Sequence, residues 1–276
     1  MKYKLIALDL DGTTAKRNRI SKQNVAAIKW ALANGIKVII ATGRSIGAIR
    51  KVAKKLGIIE NKMPVIGFNG GIIYDFAKEK ILQQNVFSND ELINVFYLAN
   101  ECKIQLWAYS VKNEHFAYVN TKHSLMTKWM SFHTKRKRIL VYDPTTLHDQ
   151  AYKFVVSGKK ENVLKFKAKL LVKYEFNIFD WSYLQNQSLN LEISPKDSDK
   201  KDALEYLAKI YNIQPAEIIA MGDGSNDYKM LKWAGVGIAM GNAKADIKTI
   251  SDDTTAHYRR SGVAKAINKY FKKWIM

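Results

Sequence analysis

The feature that most constrains this sequence is a short apolar run that ends in two carboxylates. Residues 4–8 have the length and composition of a buried strand, and Asp9 and Asp11 follow directly. In an extended chain, residues two apart point to the same side, so both carboxylates would face one centre. Open α/β sheets bind their ligands at the carboxyl ends of strands. Because two close carboxylates repel each other there, we expect a cation, and Mg²⁺ suits an all-oxygen site.

Two other interpretations of this motif are a polar surface turn and a calcium-binding loop. An EF-hand loop would need a glutamate at its twelfth position, where this chain has Ile20. The surface turn stays open on the motif alone, because short matches are often accidental. The rest of the chain decides between a turn and a site.

Strand-like and helix-like segments alternate at short intervals in the first part of the chain. This alternation is typical of a parallel sheet with helices on both faces. Ser21 is a candidate N-cap, and Gly35 stands just past the end of its helix. The predicted segments are a helix over residues 21–34, a strand over 36–41, a helix that ends near residue 56, and a strand over 64–67.

The order of segments changes beyond about residue 81, where strands often follow strands directly. This pattern predicts an α+β insertion with a largely antiparallel sheet. The alternation of strand and helix resumes near residue 199. We therefore predict an α/β fold in which a doubly wound, mostly parallel, Rossmann-like sheet is built from residues 1–80 and 191–276, and residues 81–190 form an inserted domain.

Further polar residues stand at strand ends and at a helix start outside the insertion. Thr42 and Gly43 follow the second strand and offer a hydroxyl and an amide, which can cradle an anion. Asp223 and Asp227 follow a later strand, and Lys200 opens a helix where its ammonium can meet a phosphate. Each is ordinary alone, but their joint placement at one edge of a sheet predicts a phosphoryl-transfer site.

The chain of 276 residues carries a net charge of +20 and one cysteine, Cys102. This positive potential attracts anions of any size, from phosphates to nucleic acids. A single cysteine is consistent with a reducing cytosol, and no apolar stretch approaches the roughly 18 residues that cross a bilayer. The composition predicts a folded cytoplasmic protein without a membrane partner and does not indicate its oligomeric state.

Four motifs stand in a fixed order: residues 9–13, residues 42–44, Lys200, and residues 222–227. In this order they resemble the motifs of the haloacid dehalogenase superfamily, in its Cof-like branch of phosphatases with a large α/β cap. Residues 230–243 fit the same pattern. The insertion is similar to the family's cap only in its length and in the rhythm of its segments.

The resemblance implies a magnesium-dependent phosphatase that hydrolyses small phosphorylated metabolites through an aspartyl-phosphate. Asp9 would attack the phosphorus, and Asp11 would protonate the leaving oxygen and then deprotonate water. The insertion, residues 81–190, would be the cap that selects the substrate. The implied Mg²⁺ ligands are Asp9, the Asp11 backbone carbonyl, Asp223 and Asp227, and the implied phosphate-binding groups are the Leu10 amide, Thr42, Gly43, Lys200 and Asn226.

Several residues near these motifs are candidates for substrate contact, among them Arg44 and Asn69. Spacing favours Lys200 over its neighbour Lys201 as the motif lysine. The basic loop 257–263 either contacts an anionic substrate or is solvated, and the second interpretation is favoured. Aromatic side chains of the insertion could stack on a ligand ring, with core packing as the default: Trp107, Tyr109, Tyr118, Trp129 and Trp181.

Two rival functions remain open from the sequence. The basic run 135–138 together with the net charge suggests nucleic-acid binding, but we favour a solvated surface and expect no nucleic-acid partner. A phosphomutase or phosphotransferase on the same fold would pass the phosphoryl group to a sugar instead of water. The sequence does not name the phosphomonoester.

Overall fold

The computed structural model describes residues 1–16, 18–180 and 188–272. The chain divides into two compact units: a core unit of Met1–Gln84 and Asp199–Met276, and an inserted unit of Asn85–Ser198. The boundaries expected from sequence, 80/81 and 190/191, fall inside two strands, Lys80–Gln84 and Ser188–Ser194. The division between the units lies at or beyond the ends of those strands.

The helices and strands alternate in the core unit and are mixed in the inserted unit. In chain order the elements are β1 (Leu5–Leu8), α1 (Lys22–Ala33), β2 (Lys37–Ala41), α2 (Ile46–Leu56), β3 (Val65–Gly67), β4 (Ile72–Asp75), β5 (Lys80–Gln84), α3 (Asn89–Glu101), β6 (Gln105–Ser110), β7 (Phe116–Val119), α4 (Leu125–Thr134), β8 (Lys137–Leu140), β9 (Ala151–Lys159), α5 (Lys160–Lys173), β10 (Asn177–Asp180), β11 (Ser188–Ser194), α6 (Lys200–Ile210), β12 (Ile218–Gly222), α7 (Tyr228–Trp233), β13 (Val236–Ala239), α8 (Ala245–Ile250), β14 (Asp253–Thr254) and α9 (Gly262–Phe271).

The core unit is built on a sheet whose strands, within the described residues, follow the order β14-β13-β12-β1-β2-β3-β4-β5. Strands β14 to β3 pair in parallel, and β4 and β5 add an antiparallel edge. Side chains of alternate β1 residues pack into the hydrophobic cores on opposite sides of the sheet, because successive side chains of a strand point to opposite faces. Ile6 packs with α1, α2 and α9, whereas Leu5 packs with α6, α7 and α8. The predicted doubly wound sheet is confirmed.

The inserted unit contains a second sheet, with the order β10-β11-β9-β6-β7-β8 in its described part. All of its pairs are antiparallel except that of β7 with β8. Helices α3 and α5 pack on one face around Phe96, Phe154 and Phe166. The α+β character expected of the insertion is confirmed, although α4 and β8 were not predicted. No helix within the described ranges is long and apolar enough to span a membrane.

Candidate active site

Three carboxylates meet at the carboxyl ends of β1 and β12. These strands pair in parallel with Leu8 opposite Met221, so the residues that follow each strand emerge side by side. Asp9 follows β1, and Asp223 and Asp227 follow β12. One oxygen from each of these carboxylates lies within 4.8 Å of the others. The observed geometry therefore agrees with the prediction that acids distant in sequence lie together at one edge of the sheet.

Lys200 lies inside this group of acids and is fully buried. Its Nζ is 2.7 Å from Asp9 Oδ1 and 2.6 Å from Asp227 Oδ1. Burial alone would lower the pKa of this ammonium, but Asp227 and Asp9 outweigh burial and raise it above the ordinary value. The adjacent Lys201 instead pairs with Asp202 and Glu205 on the outside of α6. Of the two neighbouring lysines, Lys200 is the one in the site.

The start of α6 determines which lysine enters the site. Asp199 is the N-cap, and its Oδ1 accepts a hydrogen bond of 2.9 Å from the amide of Asp202. Its Oδ2 accepts a second hydrogen bond of 2.6 Å from Lys229 Nζ. Gly70 has a φ of +106°, and a Cβ there would overlap the Asp199 backbone. The close approach of two backbones thus fixes the first turn of α6 and places Lys200 inward.

The loop after β12 holds Asp227 in place. Asp227 Oδ2 accepts hydrogen bonds of 2.9 Å from the amides of Asp223 and Gly224. A Cβ on Gly222 would overlap the Asp227 carboxyl group, so the loop can close only around glycine. With one oxygen bound to backbone amides and the other to Lys200, the Asp227 side chain is fixed on both sides.

Asp223 is oriented by two residues that sequence reasoning did not assign to the site. Thr13 Oγ1 donates to Asp223 Oδ1 at 3.0 Å, and Asn242 Nδ2 donates to Asp223 Oδ2 at 3.0 Å. Asn242 also donates to the carbonyl of Gly12 at 2.9 Å. A usable signal was present, because Asn242 follows β13, the neighbour of β12, and polar residues after adjacent parallel strands meet at the same edge.

The acids of the site carry more negative charge than the protein neutralises. Burial, reinforced by Asp227 and Asp223 and opposed by Lys200, raises the pKa of Asp9 well above its ordinary value. Burial, followed by the effect of Asp227, raises the pKa of Asp223 to about 6. One ammonium cannot balance three carboxylates, and carboxylate oxygens are the ligands that hard divalent cations prefer. The donor set therefore fits a divalent metal ion.

Asp11 does not belong to this group of carboxylates. Its side chain is more than half exposed and accepts a hydrogen bond of 2.6 Å from Arg44 Nε. Arg44 also donates to Asn18 Oδ1. The expectation that Asp9 and Asp11 point to the same side assumed an extended chain, whereas β1 ends at Leu8. The structure places the candidate substrate contact Arg44 against Asp11, and the Arg44 guanidinium also interacts with the charge of Asp9.

The remaining predicted residues lie in loops at the same edge of the sheet. Leu10 is buried in the turn after Asp9, and Thr42 and Gly43 lie between β2 and α2, before the helix begins. Asn69 joins two of these loops, since its amide donates to the Thr42 carbonyl at 3.0 Å. The side chain of Asn69 accepts a hydrogen bond of 2.9 Å from Asn226 Nδ2. Thr42, Asn69 and Asn226 are therefore connected.

The basic run 135–138 of the inserted unit does not form one exposed stripe. Arg136 is buried, and its guanidinium lies 4.6 Å from the ring centroid of Tyr109. Arg138 donates to the carbonyl of Lys122 at 2.7 Å. Among the aromatic residues proposed to stack on a ligand, Trp107 and Tyr109 are buried, Tyr118 is half-buried, Trp129 is half exposed, and Trp181 lies outside the described residues.

Comparison with known proteins assigns this site to a family. A sequence profile of the haloacid dehalogenase-like hydrolases matches residues 6–267. The chain belongs to the haloacid dehalogenase-like hydrolases. The resemblance drawn from the four motifs is confirmed, and the chain is an enzyme of the phosphatase type.

Similar proteins match over almost the whole chain. Phosphatase YwpJ of Bacillus subtilis (strain 168) is 30% identical over 286 residues, which cover 95% of this chain and 97% of the relative. The 5-amino-6-(5-phospho-D-ribitylamino)uracil phosphatase YwtE of the same organism is 30% identical over 290 residues, with coverage of 96% and 97%. The crystal structure of a haloacid dehalogenase-like hydrolase from Bacteroides thetaiotaomicron has a TM-score of 0.82 at 27% identity, covering 98% of this chain and 100% of that one.

Proposed function

We propose that this enzyme is a Mg²⁺-dependent phosphatase that hydrolyses small phosphorylated metabolites in the cytoplasm through an aspartyl-phosphate on Asp9. The observation that supports this proposal most directly is the group formed by Asp9, Asp223, Asp227 and the buried Lys200. Positioning and charge neutralisation supply most of the catalysis in phosphoryl transfer. A buried nucleophile beside an ammonium and a divalent-cation site provides both.

The proposed reaction has two steps, each carried out by side chains of the core unit. First, a carboxylate oxygen of Asp9 bonds to phosphorus while the ester bond breaks, and Asp11 donates a proton to the leaving oxygen. Second, Asp11 accepts a proton from a water molecule that attacks the phosphorus, and the Asp9–phosphate bond breaks to release inorganic phosphate. Arg44 would keep Asp11 in position at the edge of the site.

The phosphoryl oxygens would be bound by the Leu10 amide, Thr42, Gly43, Lys200 and Asn226. The Mg²⁺ ligands would be Asp9, Asp223, Asp227 and the backbone carbonyl of Asp11. When bound, the cation would neutralise charge on the transferring group. We also propose that the inserted unit contributes to the choice of substrate, as the resemblance implies.

The experiment that tests this proposal is a hydrolysis screen of the purified protein with and without Mg²⁺. The panel should hold sugar phosphates, flavin mononucleotide, pyridoxal phosphate and 5-amino-6-(5-phospho-D-ribitylamino)uracil, the compound named for the relative YwtE. We expect metal-dependent release of phosphate that Asp9→Asn abolishes. The control Asp246→Asn, an exposed aspartate on α8, should retain activity. Full activity in Asp9→Asn would exclude Asp9 as the nucleophile.

The same preparation distinguishes the two alternatives. A phosphoenzyme that accumulates and turns over only when a sugar is added would indicate a phosphomutase or phosphotransferase. Tight binding of single-stranded or duplex nucleic acid with a steep salt dependence would revive the nucleic-acid hypothesis. The burial of Arg136 weakens the nucleic-acid hypothesis.

A further inference from the structure

Two cationic side chains contact one tyrosine near the three carboxylates of the candidate metal site. Arg259 Nε donates to Tyr258 Oη at 3.0 Å, and Lys16 Nζ lies 5.9 Å from the centroid of the same ring. Lys16 and Arg259 are exposed, and Tyr258 is half-buried. Neither cation has a carboxylate within ion-pair distance among the residues that the structure describes. We call Lys16, Tyr258 and Arg259 the rim cluster.

The rim cluster is attached to the loop that surrounds the candidate metal site. The amide of Tyr258 donates to Asn242 Oδ1 at 3.1 Å, and Asn242 Nδ2 in turn donates to Asp223. On the other side, Lys16 directly follows Ala15, whose carbonyl accepts a hydrogen bond of 3.0 Å from the amide of Gly12. The rim cluster and Asp223 are therefore linked through Asn242, and all of these residues belong to the core unit.

Within the described residues, the cations of the rim cluster form no ion pair with the neighbouring acids. Asp11 is paired with Arg44, and Lys200 bridges Asp9 and Asp227. Two cations held against the same tyrosine side chain repel each other, and an anion placed between them reduces this repulsion. The phenol can donate a hydrogen bond to such an anion as well. The arrangement therefore suits an oxyanion such as a phosphate or a carboxylate.

We propose that the rim cluster binds a second anionic group of the substrate, so that the enzyme prefers phosphomonoesters that carry a further phosphate. This inference rests on the proposed phosphatase function and narrows its substrate class. It also revises the interpretation of the basic loop 257–263, for which the sequence favoured a solvated surface. The first phosphate would lie at Asp9 and the second at Lys16 and Arg259.

The kinetic test compares glucose 1,6-bisphosphate with glucose 6-phosphate as probes. In Lys16→Gln and in Arg259→Gln, we expect the KM for the bisphosphate to rise about tenfold, the ratio expected when one hydrogen bond to a charged group is lost. The kcat for the bisphosphate and the KM for the monophosphate should change less than about twofold. The matched control is Lys29→Gln, which also removes one exposed positive charge. Lys29 lies beside Gly57, at the C-terminal end of α2, whereas Thr42 and the active site lie near the other end of this helix.

A binding measurement tests the role of the rim cluster independently of turnover. In protein carrying Asp9→Asn, calorimetry should show that the bisphosphate binds more tightly than the monophosphate and that Lys16→Gln removes this difference. Equal effects of the rim variants on both esters, or a bisphosphate preference that persists in them, would overturn the inference. Binding of inorganic phosphate alone with the same dependence on Lys16 would also overturn it, because the anion would then be free and not part of the substrate.

Failure of the proposed function would give a different result. In that case the wild-type protein would hydrolyse neither ester, with or without Mg²⁺, and the rim variants would leave this result unchanged. The calorimetric comparison would still decide whether Lys16 and Arg259 recognise a second phosphate.

Discussion

Replacement of Lys200 by methionine tests the electrostatic design of the site most directly. Methionine has a similar volume but no charge, so the substitution leaves Asp9 and Asp227 without their shared ammonium. Removing one partner of a buried ion pair costs about 3–5 kcal/mol, because the remaining charge is buried and unpaired. With Lys200 fully buried and both partners almost fully buried, we expect the free energy of unfolding to fall by that amount in metal-free protein.

The pH dependence of this loss follows from the direction of the pKa shift. Burial already raises the pKa of Asp9 well above its ordinary value, and removal of the ammonium raises it further. An acid whose pKa is higher in the folded than in the unfolded state destabilises the fold as pH rises between those two values. The loss in Lys200→Met should therefore be largest at about pH 8 and smaller at about pH 5, where a proton on Asp9 replaces the ammonium.

The assay is urea denaturation followed by circular dichroism, in buffer with a metal chelator, at both pH values. The matched control is Lys201→Met, since the Lys201 ammonium is partly exposed and pairs with Asp202 and Glu205 on the surface of α6. Such exposed pairs contribute about 0–1 kcal/mol. An equal loss in the two variants, or a loss in Lys200→Met that grows as the pH is lowered, would refute the reasoning.

Three further predictions concern the groups around Asp223. Mg²⁺ should raise the thermal unfolding midpoint more at about pH 7.5 than at about pH 5, because a proton on Asp223, whose pKa is about 6, competes with the cation; equal gains would contradict this. In urea denaturation, Gly12→Ala should destabilise the protein by more than Gly35→Ala. Both glycines have positive φ, where an alanine costs about 1–2 kcal/mol, but only at Gly12 would the new Cβ also overlap Asp223. Thr13→Val should weaken Mg²⁺ binding about 10–100-fold in calorimetry by removing the hydrogen bond to Asp223, whereas Thr249→Val on α8 should leave it unchanged.

Local patterns in the sequence determine much of the core unit. Residues 38–41 form a continuous apolar run, and these residues of β2 are buried in a parallel sheet, so the run and the strand agree. Ser21 accepts the hydrogen bond expected of an N-cap, at 3.1 Å from the amide of Asn24. Because the sequence locates the strand ends, it also assigns the residues that follow them to one edge of the sheet.

Other features depend on contacts between distant parts of the chain and have no local pattern. Strand β9 lies between β6 and β11, an order that hydrophobic periodicity does not encode. The sequence predicts a solvated basic run that includes Arg136, but packing over Tyr109 buries this residue. The side chain of Asp11 pairs with Arg44, which is distant in sequence. In each case a tertiary contact overrides what the neighbouring residues suggest.

Glycines close to the acids explain how the site can hold so much negative charge in so small a volume. A Cβ on Gly12 would overlap the Asp223 carboxylate, and one on Gly222 would overlap that of Asp227. These close approaches let backbone amides and the Lys200 ammonium stabilise the carboxylates that burial destabilises. The compensation is incomplete, since the pKa of Asp223 stays raised. Because the folded site still lacks positive charge, it should bind a cation more tightly than a neutral site would.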